Sequence, residues 1–328
     1  LRTQRLGVGM TEAGLLDGLL AAAVLAAVAV AVLPRARTAQ SFGFLLLGVV
    51  VTLVWLRLGS VDVALAEAAL GGGLLGAVLV YLTASSPTAG QPPSAAAYRW
   101  VRAVVGIICG VVVAVVVGAV WLRVEATMPA WEEPVAAQMD ATGVEHGITG
   151  VLLAFRAYDT LLESAVLLFA AATALLLRQH RPRPAALPVR SWGPSLQWTA
   201  RITAPVLLMT GLWLLFAGST DSGGAFQSGA VLCAMLIVLH AGGVDLSGVH
   251  RWLRPLLVAG VLVFILAGVI GPVLGEPWLS WQPEWAFAAV LGIEVLLTAG
   301  IAVGLYAVFL GMLPEDLPSS QTPQEVSR

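Results

Sequence analysis

About nine runs of roughly 20 apolar residues, each almost free of charge, follow one another along this chain, and nothing else in it restricts the fold so tightly. They cover 15–33, 41–57, 61–82, 101–123, 159–178, 199–217, 226–243, 255–274 and 286–311. Each is long enough to cross a bilayer as a helix, so the expected fold is an all-α polytopic membrane protein. Composition agrees: 59% of the 328 residues are hydrophobic and 11% charged, and the mean hydropathy is +0.90. That leaves no room for a large water-soluble domain.

The net charge of -2 argues against a nucleic-acid surface. There is no Lys, so all 17 fixed positive charges are Arg. Cytoplasmic loops retain basic residues. Arg35 and Arg37, Arg99 and Arg102, then Arg178, Arg181, Arg183 and Arg190, then Arg251 and Arg254 fall on one side of the nine-span arrangement. Glu125, Glu132, Glu133, Asp140, Glu145, Asp221, Glu276 and Glu284 fall on the other, with Trp131, Trp278, Trp281 and Trp285 placed for its interface. The expected N-terminus is therefore outside and the C-terminus cytoplasmic. Cys109 and Cys233 sit in apolar runs and read as packing residues, not as a disulfide or metal ligands.

Two aperiodic Pro-containing stretches, 83–98 and 180–195, look like joints. They divide the chain into a three-helix block at 1–90, a two-helix block at 91–185, a four-helix block at 186–313 and a polar tail at 314–328. Within the second block, 146–154 is apolar but too short to span, and reads as an interfacial or re-entrant helix on the outer side.

Charges inside apolar helices cost a few kcal/mol or more and so mark pairing, bundle faces or ion routes. Phe155-Arg156-Ala157-Tyr158-Asp159-Thr160-Leu161-Leu162-Glu163 places Arg156, Asp159 and Glu163 on one helical face. Arg156 neutralises one acid and leaves the other over, which fits an ion route or helix packing equally. Glu67, beside Ala64, Ala68 and Gly71, faces a close helix neighbour and is a candidate for proton exchange or cation passage; its bland role is a carboxyl that joins helices. Glu294 has no basic residue in its own span and needs a partner from elsewhere. His240 is a candidate proton relay, against the commoner role of a satisfied hydrogen-bonding residue. Gly218, Gly223, Gly224, Phe226, Gln227 and Gly229 belong to a Gly-rich turn entering a helix, without the Lys-Ser/Thr ending of a phosphate loop. No zinc spacing, catalytic triad or dinucleotide fingerprint is present, so neither enzyme nor cofactor is expected.

At these residues the chain resembles a known family. Ser41-Phe42-Gly43-Phe44 followed by Asp62-Val63-Ala64-Leu65-Ala66-Glu67-Ala68 resembles the MbhD component of membrane-bound hydrogenases, itself similar to part of the C-terminal region of the large MrpA component of Mrp-type cation/proton antiporters. The stretch 147–170 resembles the hydrogenase MbhE component, with Leu162 where Gly is usual. The stretch 201–239 resembles the MrpB component; Ser222, Ala225 and Ser228 stand where the family loop has Pro, Gly and Gly.

The resemblance implies an accessory subunit of a multisubunit complex in a bacterial or archaeal cell membrane. Its partners would be large antiporter-like subunits and small subunits, and its ions Na⁺ and H⁺. Glu67, with Asp159 and Glu163, would line an outer-side route. Alternatives are the same module in a redox-coupled or inorganic-carbon uptake complex, or a pure scaffold.

Overall fold

A computed structural model describes residues 14–34, 36–85, 99–124, 132–179 and 193–313. Among them every regular element is helical. In chain order, α1 is Leu15–Val32, α2 Arg37–Arg57 and α3 Val61–Ala66. A π-helical segment, Glu67–Leu75, continues α3 into α4, Gly76–Ser85. Then come α5, Arg99–Val124, α6, Glu132–Ala136, a 3₁₀ turn, Met139–Thr142, and α7, Gly147–Gly150. A second π segment, Val151–Phe155, leads to α8, Ala157–Gln179. Finally, α9 is Gly193–Ala217, α10 Ala225–Ala241, α11 Ser247–Val273 and α12 Pro283–Met312.

Eight of the described helical stretches are long and apolar enough to cross a membrane. The ninth expected span is α10, a shorter apolar helix of 17 residues, about 25 Å long at 1.5 Å per residue. It is short because the chain turns at 218–224 before the helix begins. Most of both Pro-containing joints, the tail at 314–328, and Arg35, Glu125, Trp131, Arg181, Arg183 and Arg190 lie outside the described residues.

The chain divides into two compact units. The smaller holds α5 and α6 within 86–138, and its 26-residue Val-rich α5 would extend about 39 Å. The larger holds everything else and is organised around α12. This helix packs against α8, α10 and α11, and its buried residues run from Ala286 to Leu310. A helix apolar all round is stable only where protein or lipid covers every side, and α12 is covered chiefly by protein.

At one end Phe264, Trp281, Ile293 and Ile301 interlock; at the other Leu253, Leu257, Tyr306 and Phe309 do. The α2 helix meets the first π segment at Gly48 and Gly72, where a methyl group at Gly48 would overlap the opposing backbone. Small residues let backbones approach closely where lipid offers no hydrophobic drive to association. Through α10, which touches both α3 and the first π segment, the first and last blocks become one body.

Candidate functional site

Asp62, in the first turn of α3, is where three separate parts of the sequence meet. Its Oδ2 lies 3.1 Å from His146 Nε2 and accepts a hydrogen bond from Ser222 Oγ at 3.2 Å. Its Oδ1 accepts the Gly223 N–H at 3.2 Å, and its backbone carbonyl accepts Gln227 Nε2 at 3.4 Å. The side chains of His146 and Asp62 are 17% and 13% exposed, too enclosed for water to supply these bonds freely. Two further sets of contacts fasten the Gly-rich turn to the segment around His146. The N–H groups of Glu145 and His146 both donate to the Ser219 carbonyl, and Thr149 Oγ1 donates to the Gly218 carbonyl at 2.5 Å. Gly224 holds a φ of 115°, a conformation that a side chain at this position would strain.

Under that turn lies Glu294, 2% exposed. Side-chain carbons built at Gly218 and Gly224 would stand 3.3 and 3.5 Å from its Oε1, so the bare backbone of the turn covers the carboxyl. Three buried polar side-chain atoms lack a hydrogen-bond partner among the described residues: Trp285 Nε1, Glu294 Oε2 and Thr298 Oγ1. The last two sit on successive turns of α12.

Glu67 begins the first π segment, half-buried, with its carboxylate folded over Gly71. Arg156 occupies the bend before α8 and donates through Nε to Asp159 Oδ2 at 2.6 Å, with Nη2 also in contact. Glu163 is exposed on the same side of α8 as Val166 and Phe169, a face uncovered among the described residues. Among the described residues no hydrogen bond or ion pair joins Glu67 to Asp159 or Glu163. Carbonyls of the second π segment are satisfied by side chains from outside it: Thr160 Oγ1 of α8 donates to the Leu152 carbonyl and Trp281 Nε1 to that of Leu153, both at 2.7 Å.

His240 stands apart from the acids. Its Nδ1 lies 3.0 Å from the hydroxyl of Tyr306, which is fully buried and in turn lies 3.4 Å from His250 Nε2. Tyr306 follows Glu294 by twelve positions on α12, about 18 Å along the axis, so the two groups form separate centres.

Sequence reasoning singled out neither Asp62 and His146 as a pair, nor Thr298, Tyr306 or His250. No group of three or more His, Cys, Asp or Glu side chains among the described residues is arranged to hold a metal ion.

Residues 22–88 match the family profile of MbhD, a component of MBH, and residues 195–313 match that of a domain related to the MnhB subunit of Na⁺/H⁺ antiporters. In chain order, then, one stretch is similar to MbhD and another to an MnhB-related domain. Asp62 lies in the first of these and Ser222, Gly223, Gln227 and Glu294 in the second, so the contacts around Asp62 are also the seam between the two domains. The B-type component of the Na⁺/H⁺ antiporter of Alkalihalophilus pseudofirmus is 26% identical over 122 residues, 36% of this chain and 84% of that protein. An uncharacterized protein of Methanocaldococcus jannaschii, MJ1307, is 26% identical over 185 residues, 48% of this chain and 71% of that one. In the solved Mrp complex from Dietzia sp. DQ12-45-1b, one polypeptide matches with a TM-score of 0.72 and 21% identity over 93% of this chain. The match covers 35% of that longer polypeptide, and it establishes a shared fold.

Proposed function

We propose that this chain is an accessory subunit of an Mrp-type cation/proton antiporter complex in a prokaryotic cell membrane, working beside antiporter-like subunits. The observation that carries the reading is the seam at Asp62, where an MbhD domain and an MnhB-related domain are hydrogen-bonded into one body. Over 93% of this chain the fold follows about a third, 35%, of a longer polypeptide of the solved Mrp complex. Within this reading 91–185 is a block like the hydrogenase MbhE component, with His146 and Thr149 fastening it to the seam. The first turns of α11, which hold Arg251 and Arg254, face the cytoplasm.

The ion-pathway role falls to the acids. Among the described residues Glu67 is half-buried without a charged partner and the Glu163 face of α8 is uncovered, which suits a neighbouring subunit. Glu67 sits where the helix ladder departs from the α pattern, a feature frequent at functional sites. No catalytic step is assigned to the chain.

Because the first domain matches the profile of an MBH component, a redox-driven complex containing the same module is the second reading. Purification of the tagged chain from its native membrane, with its companions identified and iron measured, separates the two. Large antiporter-like companions without iron support the antiporter; stoichiometric iron–sulfur companions support the redox complex. Recovery of the chain with no membrane companion rejects both.

A further inference from the structure

Along α2, Arg37, Gln40, Ser41, Phe44 and Leu47 recur at three- and four-residue intervals and so share one helical face. That face is the floor of a groove of about 430 Å³, walled by Val28 and Val32 of α1 on one side and by Leu79 and Thr83 of α4 on the other. Both flanking helices pack against α2. The volume falls in the range of small-molecule sites, roughly 300–1,000 Å³.

The polar groups of the groove gather at one end. There α1 finishes, α2 begins and α4 finishes, so the three termini stand at the same face of the membrane. Gln40 Nε2 donates to the Val32 carbonyl at 3.4 Å, which ties α2 to the end of α1, and the hydroxyls of Ser41 and Thr83 lie 3.3 Å apart between α2 and α4. Arg37 is exposed at this mouth, and among the described residues it forms no ion pair. Its guanidinium is always charged and offers five N–H donors. Away from the mouth the lining is apolar. Leu47 lies ten residues beyond Arg37, about 15 Å along the helix axis, which is half of the ~30 Å hydrocarbon thickness of a bilayer.

We propose that this groove holds one anionic phospholipid, with its phosphate at Arg37 and an acyl chain laid along Phe44, Leu47 and Val28. The polarity of the groove changes along its length as that of a lipid does: a cation and an amide at the membrane face, then hydrocarbon. Its depth matches a single leaflet. A partner helix crossing the bilayer would need a lined track of roughly 20 residues, twice the length of α2 that the groove follows. Charge complementarity selects the headgroup, because an unpaired Arg between membrane helices attracts a lipid of net negative charge more than a zwitterionic one. The site depends on neither the ion carried nor the identity of the complex, so it stands or falls separately from the antiporter reading.

Photolabelling of the assembled complex, purified from its native membrane, locates the lipid directly. The probes are phosphatidylglycerol and phosphatidylcholine, each carrying a photoreactive group on one acyl chain, with the labelled peptides identified by mass spectrometry. Phosphatidylglycerol should label peptides that line the groove, and should do so more strongly than phosphatidylcholine. Arg37→Gln should reduce its labelling on the order of fivefold and bring the two lipids level, as expected for loss of one basic residue at a membrane surface. Val28→Trp, which narrows the apolar part and leaves Arg37 in place, should reduce labelling by both lipids; it serves as the test should Arg37→Gln fail to assemble. Equal labelling by the two lipids in the wild type, or labelling unchanged in either variant, overturns the proposal. So does a groove that takes no label because a neighbouring subunit covers it.

Discussion

Among single residues, Asp62 has the most consequences. Its carboxylate satisfies the Ser222 hydroxyl and the Gly223 N–H and lies against His146, and all of these come from residues more than 80 positions away. Removing an acceptor that leaves buried donors unsatisfied costs about 1–3 kcal/mol per group. Asp62→Ala should therefore lower the thermal unfolding midpoint of the purified protein clearly. Asp62→Asn, which keeps one carbonyl oxygen, should lower it less, and equal midpoints for the two variants would contradict the bonding described. That Arg156 would pair with one of Asp159 and Glu163 was legible in the sequence because helical spacing encodes it locally, and the fold selects Asp159. Glu294 was legible as an acid without a partner because α12 contains no basic residue. The Asp62 and His146 pair was not. It is made by chain folding over 84 positions, and an Asp in a first helical turn already has an ordinary explanation in the helix dipole. Tyr306 was hidden for a related reason: in a helix apolar all round, one aromatic residue gives no sign of which neighbours it will meet.

Helix positions were largely readable as apolar runs, but departures from regularity were not. Apart from Glu67, the two π segments are so uniformly apolar that an extra residue per turn disturbs no pattern. The shortness of α10 follows from where the turn at 218–224 closes, which its glycines announce without fixing. Helix crossings give a sharper test. Gly48→Ala should overpack the contact with Gly72 and destabilise by about 1–3 kcal/mol, whereas Gly18→Ala on α1, with open space around it, should be neutral or slightly stabilising. Paired thermal melts check this, and similar effects at both sites would contradict so close a crossing.

Between α10 and α11, Asp245 accepts from the backbone N–H and hydroxyl of Ser247 at 2.9 and 3.0 Å, which holds its carboxyl below the usual range. A group whose pKa is lowered by folding stabilises the folded state above its unfolded value and loses that contribution as pH falls through the folded value. The stability of wild type relative to Asp245→Asn should therefore fall upon acidification through the carboxylate range. A difference that stays constant with pH would show that these bonds do not favour the ionised form.

On the scale of the whole molecule, sequence read the chain as membrane-embedded blocks in series, and the fold shows what ties the first to the last. The seam at Asp62 joins a stretch that matches MbhD to one that matches a domain related to a Na⁺/H⁺ antiporter subunit, with Glu67 in the first and Glu294 in the second. Glu67 lies in a helix closely packed against α2, and on the proposed reading it is one station of a cation route completed by neighbouring subunits. The decisive measurement is Na⁺-dependent proton movement in everted vesicles carrying the full set of companion subunits, comparing wild type with Glu67→Gln at equal assembly. Transport should be abolished by the substitution while the complex remains intact; transport at the wild-type rate would contradict a role for this chain in the ion route.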